Sequence, residues 1–280
     1  MSRTAWIPTG PGDAPLRRLD LAGGRASINQ RKLRRHGLAG WQAATTAALL
    51  TAWDLTPPTG TFFDVGANAG IYALLCRILR PSMETVAFEP SPTTVAAGQQ
   101  WARANDVEVR FEAVALSDAD ARGTLYLSSR SDASNSLVAG FREPSGTLEV
   151  ERLTMDTFVR REGLAPTVVK IDVEQHEPAV LRGARSTLIE HRPVIVMELL
   201  ASEASRRAHR RLRRLDYEPF GLGDRDRLYW PGGLPEDWHE RFAGWSRAVE
   251  RCGPGGRSLP AEVVTRSRRG AARPAADGLD

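Results

Sequence analysis

Residues 62–70 read Phe-Phe-Asp-Val-Gly-Ala-Asn-Ala-Gly. A short apolar run ends at Asp64, and a glycine turn opens straight into a helical pattern. Ile71, Leu74, Leu75, Ile78 and Leu79 recur there at helical spacing. A second apolar strand, Thr85-Val86-Ala87-Phe88, follows and stops at Glu89. This strand–turn–helix–strand pattern is a βαβ unit, which holds nucleoside-containing ligands at the carboxyl ends of its strands. Gly66 permits the tight turn and is expected to let backbone N–H groups face the ligand. Asn68 tolerates left-handed backbone angles, and Gly70 is expected to let the helix approach the strand. Glu89 can accept hydrogen bonds from both hydroxyls of a ribose. A dinucleotide fingerprint has the form G-x-G-x-x-G, whereas this turn reads Gly66-x-Asn68-x-Gly70. The acid that ends the first strand, Asp64, suits a ligand with a cationic ammonium better than one with a pyrophosphate. S-adenosylmethionine carries that ammonium and a sulfonium as well.

Outward from this unit, strands and helices alternate. Upstream, Trp41, Ala44, Thr45, Ala48, Leu49 and Ala52 trace one helical face over 41–53, ended by Pro57-Pro58-Thr59-Gly60. Downstream, the pattern predicts a helix over 92–104, strands near 107–111, 123–128 and 147–153, and a helix over 155–162. Residues 129–146, rich in Ser, Asp, Asn and Gly, read as a loop. A strand over 167–172 precedes a helix opened by Pro178 whose face includes Val180, Leu181, Ala184 and Leu188. Another buried strand spans 193–199, followed by an arginine-rich helix near 202–215 and two strands within 217–230. The expectation is a doubly wound, mostly parallel α/β sheet with a C-terminal antiparallel hairpin. The α/β core would occupy 41–246, with 1–40 as an N-terminal extension and possible substrate rim. The Arg/Gly/Pro-rich stretch 247–280 is not expected to pack.

A second dense cluster is Lys170-Ile-Asp-Val-Glu-Gln-His-Glu177. Strand alternation puts Lys170 and Asp172 on one face, and Asp172 ends the strand where open α/β sheets place their ligands. Glu174, His176 and Glu177 fall in the turn into the next helix. A helix N-terminus disfavours imidazolium, so His176 is a candidate neutral general base. Glu198 ends the following strand on the same rim. Asp172, Glu174, Glu177 and Glu198 offer oxygen ligands of the kind that hold a divalent cation such as Mg²⁺; their spacing alone assigns no metal ligand.

The 280 residues carry a formal charge of +4. Nearly all the basic charge is arginine, Lys32 and Lys170 being the only lysines, which reads as coding bias rather than a nucleic-acid surface. The two cysteines, Cys76 and Cys252, imply no disulfide framework; one reads as a packing thiol and the other as incidental. No stretch approaches the roughly 18 apolar residues of a membrane span, and the N-terminus lacks the apolar core of a signal peptide. A cytoplasmic location is the expectation.

Asp64-Val-Gly-Ala-Asn-Ala-Gly70, Phe88-Glu-Pro90, Ala115-Leu-Ser-Asp118, Met155-Asp-Thr-Phe158, Lys170-Ile-Asp-Val-Glu174 with Glu177, and Glu198 together resemble the FkbM family of methyltransferases. The resemblance implies a class I methyltransferase (Rossmann-like) fold and S-adenosyl-L-methionine as cofactor. It implies O-methylation of a hydroxyl on a small metabolite, sugar or natural product. Asp64, Gly66, Asn68 and Gly70 would line the methionine side of the cofactor, Glu89 would hold the ribose, and Ser117 and Asp118 would lie near the adenine. Asp172, Glu174 and Glu177 match the acidic motif near the acceptor. Apart from the resemblance, an attacking alcohol needs a base, His176 on pKa grounds or Asp172 by position, or a metal that lowers its pKa, and Lys170 would orient the carboxylates. Asn135-Ser136-Leu137 resembles a serine-containing loop over the substrate. One position departs: the family usually has glycine after the second acid of the motif, and this chain has Gln175, where a glycine-specific backbone angle would be lost. Two other classes compete. A nucleic-acid methyltransferase would need an Asn/Asp-Pro-Pro-aromatic tetrapeptide or a Pro-Cys nucleophile, neither of which is present. A non-catalytic cofactor-binding module would draw on Gln175.

Overall fold

In the computed structural model, which describes residues 4–21, 28–129, 134–223 and 225–253, the chain opens with a hairpin, β1 (Thr4–Pro8) and β2 (Leu16–Asp20). There follow α1 (Ile28–His36), a 3-10 turn (Leu38–Gly40) and α2 (Ala43–Leu55). The alternating section runs β3 (Thr61–Val65), α3 (Ile71–Leu79), β4 (Glu84–Phe88), α4 (Pro92–Ala104) and β5 (Arg110–Glu112). Next come β6 (Val114–Leu116), β7 (Ala121–Ser128), β8 (Pro144–Leu153) and α5 (Met155–Glu162). The remainder is β9 (Val168–Ile171), α6 (Glu177–Gly183), α7 (Arg185–Glu190), β10 (Val194–Glu198), α8 (Glu203–Arg213), β11 (Tyr217–Gly221), β12 (Asp226–Pro231) and α9 (Trp238–Glu250).

Seven strands form the central sheet in the order β11-β12-β10-β9-β3-β4-β5. The run from β10 to β5 is parallel, while β12 is antiparallel to β10 and β11 to β12. This is the doubly wound, mostly parallel sheet of the class I methyltransferase fold, closed by its antiparallel hairpin. From β3 the chain winds outward to β5, then returns to β9 on the other side of β3. The winding direction therefore reverses between β3 and β9, and a crevice opens at their carboxyl ends.

Alternation divides the core between the two faces of this sheet. Phe62, Val168, Val194 and Val196 pack toward α2, α3 and α9. Phe63, Val169, Ile195 and Met197 pack with Met155, Phe158, Val180 and Leu181 on the opposite face. Phe63, Phe88 and Phe158 meet edge to face, with centroids 4.8–5.5 Å apart. Every residue of β3 is buried, as both faces of a parallel sheet require.

Several elements depart from the sequence expectation. The strands near 123–128 and 147–153 leave the central sheet and join β6 in a separate three-stranded sheet, ordered β6-β8-β7. Their exposed, polar-rich faces do not suit strands covered on both sides. The helix opened by Pro178 breaks at Gly183 and Ala184 into α6 and α7. A Cβ on Gly183 would sit 1.9 Å from the Ser117 carbonyl oxygen, so close approach of the β6 edge fixes the break. Within 1–40, β1 and β2 are a packed hairpin with Ile7 and Leu19 fully buried. Packing also continues past Arg247. α9 lays Trp238, Phe242, Trp245 and Val249 against the core and, with the sheet, buries α2 on nearly all sides. Cys252 is fully buried rather than incidental. The rest of the expected unpacked stretch, 254–280, lies outside the described residues, as do 130–133 of the predicted loop. Among the described residues, no helix is long and apolar enough to cross a membrane.

Candidate active site

The glycine turn is built differently from its sequence expectation. The N–H groups of Gly66 and Ala67 both donate to the Phe88 carbonyl, at 3.0 Å each, so they face the sheet rather than a ligand. Glu89 is held beside the turn: its carboxylate accepts from the N–H of Asn68 and of Ser91, each at 3.0 Å. Gly66 has φ +74°, and a Cβ there would lie 2.0 Å from the Asp172 carbonyl oxygen, so the turn and the β9 exit touch through the missing side chain. Gly70 serves a different neighbour than expected, since a Cβ there would meet the Phe111 ring of β5 at 2.6 Å.

Two cavities flank this contact. The first lies between the turn and the N-terminal helices, lined by Leu33, Trp41, Gln42, Tyr72, Trp101 and Lys170. The second lies on the β4 side, lined by Phe88, Glu89, Leu116, Leu125, Ser136 and His176. Gly66, Asn68 and Asp172 line both, so they form the shared wall of one elongated crevice at the point where the winding reverses.

Asp64 lines neither cavity. It is fully buried beneath the turn, opposite Lys170 in the β3–β9 register. Its Oδ2 accepts from the Ala73 N–H at 3.2 Å, and its Oδ1 lies 3.9 Å from Lys170 Nζ with no hydrogen-bond partner. Burial pushes its carboxyl up to about 6, against the pull of Lys170. Alternation sends it to the inner face, where it anchors the start of α3. The Lys170 ammonium also stands 3.3 Å from Asp172 Oδ2 and 5.2 Å from the centre of the Tyr72 ring. Burial works against its charge, but Asp172 and Asp64 outweigh it and hold it above the usual lysine range.

His176, immediately before α6, lines the second cavity, and its Nε2 is 2.9 Å from the Ser117 hydroxyl oxygen. Burial pulls the ring down to about 4, so it is neutral at pH 7. Ser117 is fully buried and lines neither cavity; it reaches the second only through His176. Asp118 also lines neither cavity. It pairs with Arg182 at 2.7 Å, which holds its carboxyl below the usual range. Neither residue touches the crevice directly, and Ser117 stands one side chain behind the second cavity. Glu177 likewise stands outside the cavities: it closes its own turn by accepting the Gln175 N–H at 3.1 Å, and burial raises it to about 7.

Gln175 retains the angle that a glycine would have supplied. Its φ is +74°, and Glu174 beside it has φ +51°. The turn survives with two left-handed non-glycine residues, a conformation that persists only where surrounding structure enforces it. Glu174 contributes here: its carbonyl accepts from the Ser136 hydroxyl at 2.7 Å and its carboxylate faces Arg142 at 3.4 Å. Asn135, Ser136 and Leu137 all line the second cavity.

Carboxylate oxygens of Asp172, Glu174 and Glu198 lie within 4.8 Å of one another. Such an oxygen set is suited to a hard cation, but Lys170 already supplies a positive charge to Asp172. The remaining repulsion between the acids is relieved by a proton on Glu198. Burial, then the charge of Asp172 and a hydrogen bond with it, push Glu198 up to about 9. Asp226, opposite Glu198 in the β10–β12 register, is a further acid of this rim, raised by burial to about 6. It escaped sequence reading because only the hairpin register brings it here.

A pH-dependent stability follows. Glu198 holds its proton more tightly in the folded than in the unfolded chain. That stabilising share is complete below its ordinary value of 4.5 and fades as pH rises toward about 9. Glu198→Gln, which mimics the protonated acid, should leave thermal stability unchanged at about pH 5. By about pH 8 it should gain about 1–3 kcal/mol, a Tm increase of several degrees. Calorimetric scans across that range check this, and a gain independent of pH contradicts it.

Comparison with known proteins places the chain. A sequence profile of the Methyltransferase FkbM domain matches residues 64–219. No curated protein sequence matches. Among solved structures, the methyltransferase FkbM from Methylobacillus flagellatus is 17% identical with a TM-score of 0.47, the match covering 64% of this chain and 48% of that one. This chain thus spans about half the length of that structure. Human methyltransferase-like protein 13, in complex with SAH, is 12% identical with a TM-score of 0.45, covering 74% of this chain and 91% of that one. The O-methyltransferase from Bacillus cereus, also in complex with SAH, is 12% identical with a TM-score of 0.40, covering 66% and 78%. Because the domain profile takes in more than half of its length, from the first acid of the glycine turn to the C-terminal hairpin, this chain belongs to the FkbM methyltransferase family.

Proposed function

We propose that the protein is an S-adenosylmethionine-dependent O-methyltransferase acting on a hydroxyl of a small molecule. The observation that carries this reading is the crevice whose two halves meet at Gly66, Asn68 and Asp172. The residues fit a nucleoside with an amino-acid arm. Glu89, steadied by two backbone N–H groups, faces the second cavity and suits a ribose diol. Leu116, Leu125 and Phe88 give that cavity apolar walls for an adenine. The first cavity, with Lys170, Gln42 and Asp172, suits the charged arm. When bound, S-adenosylmethionine supplies an electrophilic methyl group on sulfur.

Asp172 is the group best sited to take the acceptor's hydroxyl proton. It ends β9 and borders both halves of the crevice. Lys170 fixes its carboxylate from one side, and Glu198, kept protonated, bonds to it from another. This arrangement concentrates negative charge on Asp172. Retention of the left-handed turn at Gln175 removes the main argument for a non-catalytic module.

Titration calorimetry with S-adenosylhomocysteine tests the reading. One-to-one binding is expected, and because Lys170 already compensates Asp172, EDTA or added magnesium should change affinity by no more than about twofold. Folded protein with no affinity at millimolar ligand overturns it.

A further inference from the structure

We propose that Gln42 is a specificity-determining residue that reads the α-carboxylate at the amino-acid end of the cofactor, so that the segment before the matched domain completes the cofactor site. The inference rests on the cofactor reading above and deepens it. Gln42 lines the first cavity beside Trp41 and Tyr72, whose rings stack with centroids 5.3 Å apart. The Tyr72 hydroxyl donates to Gln42 Oε1 at 2.8 Å. The backbone carbonyl of Gln42 accepts the Thr46 N–H at 2.9 Å and the Thr46 hydroxyl at 3.0 Å. With both oxygens committed, what the side chain has left to offer is the N–H pair of its amide.

Two further observations point to the amino-acid arm. Gln42 adopts φ 46° and ψ 46°, a left-handed conformation for a non-glycine residue at the threshold of α2. Such conformations collect at ligand clamps, where surrounding structure holds them. The cavity is also polar at both ends in complementary ways. Asp172 stands at the shared wall, while the amides of Asn29 and Gln42 stand on the side of the N-terminal helices. Of the two charged groups at that end of the cofactor, the carboxylate matches the amide donors, away from the anionic wall at Asp172. Lys170 is already engaged by Asp172 and Asp64, so the carboxylate needs another donor. Asn29 and Gln42 both precede residue 64, where the domain match begins.

The rival account is that Gln42 only supplies an acceptor for the buried Tyr72 hydroxyl. Gln42→Glu separates the two, since it keeps that acceptor and replaces the amide donors with a negative charge. Calorimetry on the full chain would compare S-adenosylhomocysteine with 5′-deoxy-5′-methylthioadenosine, the same nucleoside without the amino-acid end. Gln42→Ala should weaken the first ligand about tenfold and Gln42→Glu about thirtyfold or more, with the second ligand within about twofold of wild type for both variants. Equal affinity of wild type and Gln42→Glu for S-adenosylhomocysteine overturns the assignment. So does an equal loss of both ligands, which would mean that Gln42 acts through the whole site. Wild-type protein that binds neither ligand overturns the cofactor reading itself.

Discussion

Asp172→Asn should lower kcat by about 10²–10⁴-fold while leaving affinity for S-adenosylhomocysteine within about fivefold. The substitution keeps the shape of the side chain and an oxygen acceptor for Lys170, 3.3 Å away, and removes the negative charge and with it the capacity to take a proton. Glu198 cannot stand in, because it lines neither half of the crevice. His176→Ala should behave differently. Its ring borders the second cavity and is engaged by Ser117, so the loss should appear as weaker nucleoside binding with kcat reduced by less than about tenfold. Release of S-adenosylhomocysteine, followed with any hydroxylated acceptor that supports turnover, measures the first effect. Calorimetry measures the second. Normal kcat in Asp172→Asn, or full affinity without turnover in His176→Ala, would reverse the assignment of the base.

The central fold was legible because its signals were local. β4 and α4 match their predicted spans, with Pro92 opening the helix. α5 begins where Thr154 accepts the Thr157 N–H at 3.1 Å. What escaped depended on distant partners. β1 and β2 are short and carry Arg17 and Arg18, so nothing marks them as strands until Ile7 and Leu19 find the core. In α9 the spacing of Trp238, Phe242, Trp245 and Val249 is a helical signal, but it runs into a basic, glycine-rich stretch and the expectation named no helix there. The break between α6 and α7 falls where the Ser117 carbonyl, just past β6, approaches Gly183, a contact invisible in a linear pattern.

The same division runs through the site. Strand-end acids identify the rim, because a strand's carboxyl end is where the chain turns. Their orientation is settled by pairing. Asp64 and Glu89 both end strands, yet Asp64 is drawn under the turn by Lys170 and the Ala73 N–H, while Glu89 borders a cavity. Glu177 reads like a third acid of the motif but is consumed by its own turn. Trp41, Gln42, Tyr72 and Trp101 were legible only as helix residues, since three separate helical segments must meet before they enclose anything.

Gly66→Ala and Gly140→Ala provide a matched test of how the crevice is held open. Both glycines have φ +74°, so alanine pays the same left-handed penalty at each. They differ in surroundings: a Cβ at Gly140 meets nothing within 4 Å, whereas at Gly66 it lands 2.0 Å from the Asp172 carbonyl oxygen. That atom is backbone and cannot swing aside, so β9 must shift away from β3 or the turn must unwind. Gly140→Ala should therefore cost about 1 kcal/mol, a Tm loss of about 2–4 °C. Gly66→Ala should cost about 3 kcal/mol or more, with a Tm loss near 10 °C. Affinity for S-adenosylhomocysteine should follow the same split. Gly140→Ala leaves it near wild type, and Gly66→Ala abolishes it, because the displaced residues are the wall common to both halves of the crevice. Equal Tm losses in the two variants would mean that backbone angle alone sets the cost, and that the close approach of the turn to Asp172 holds nothing in place.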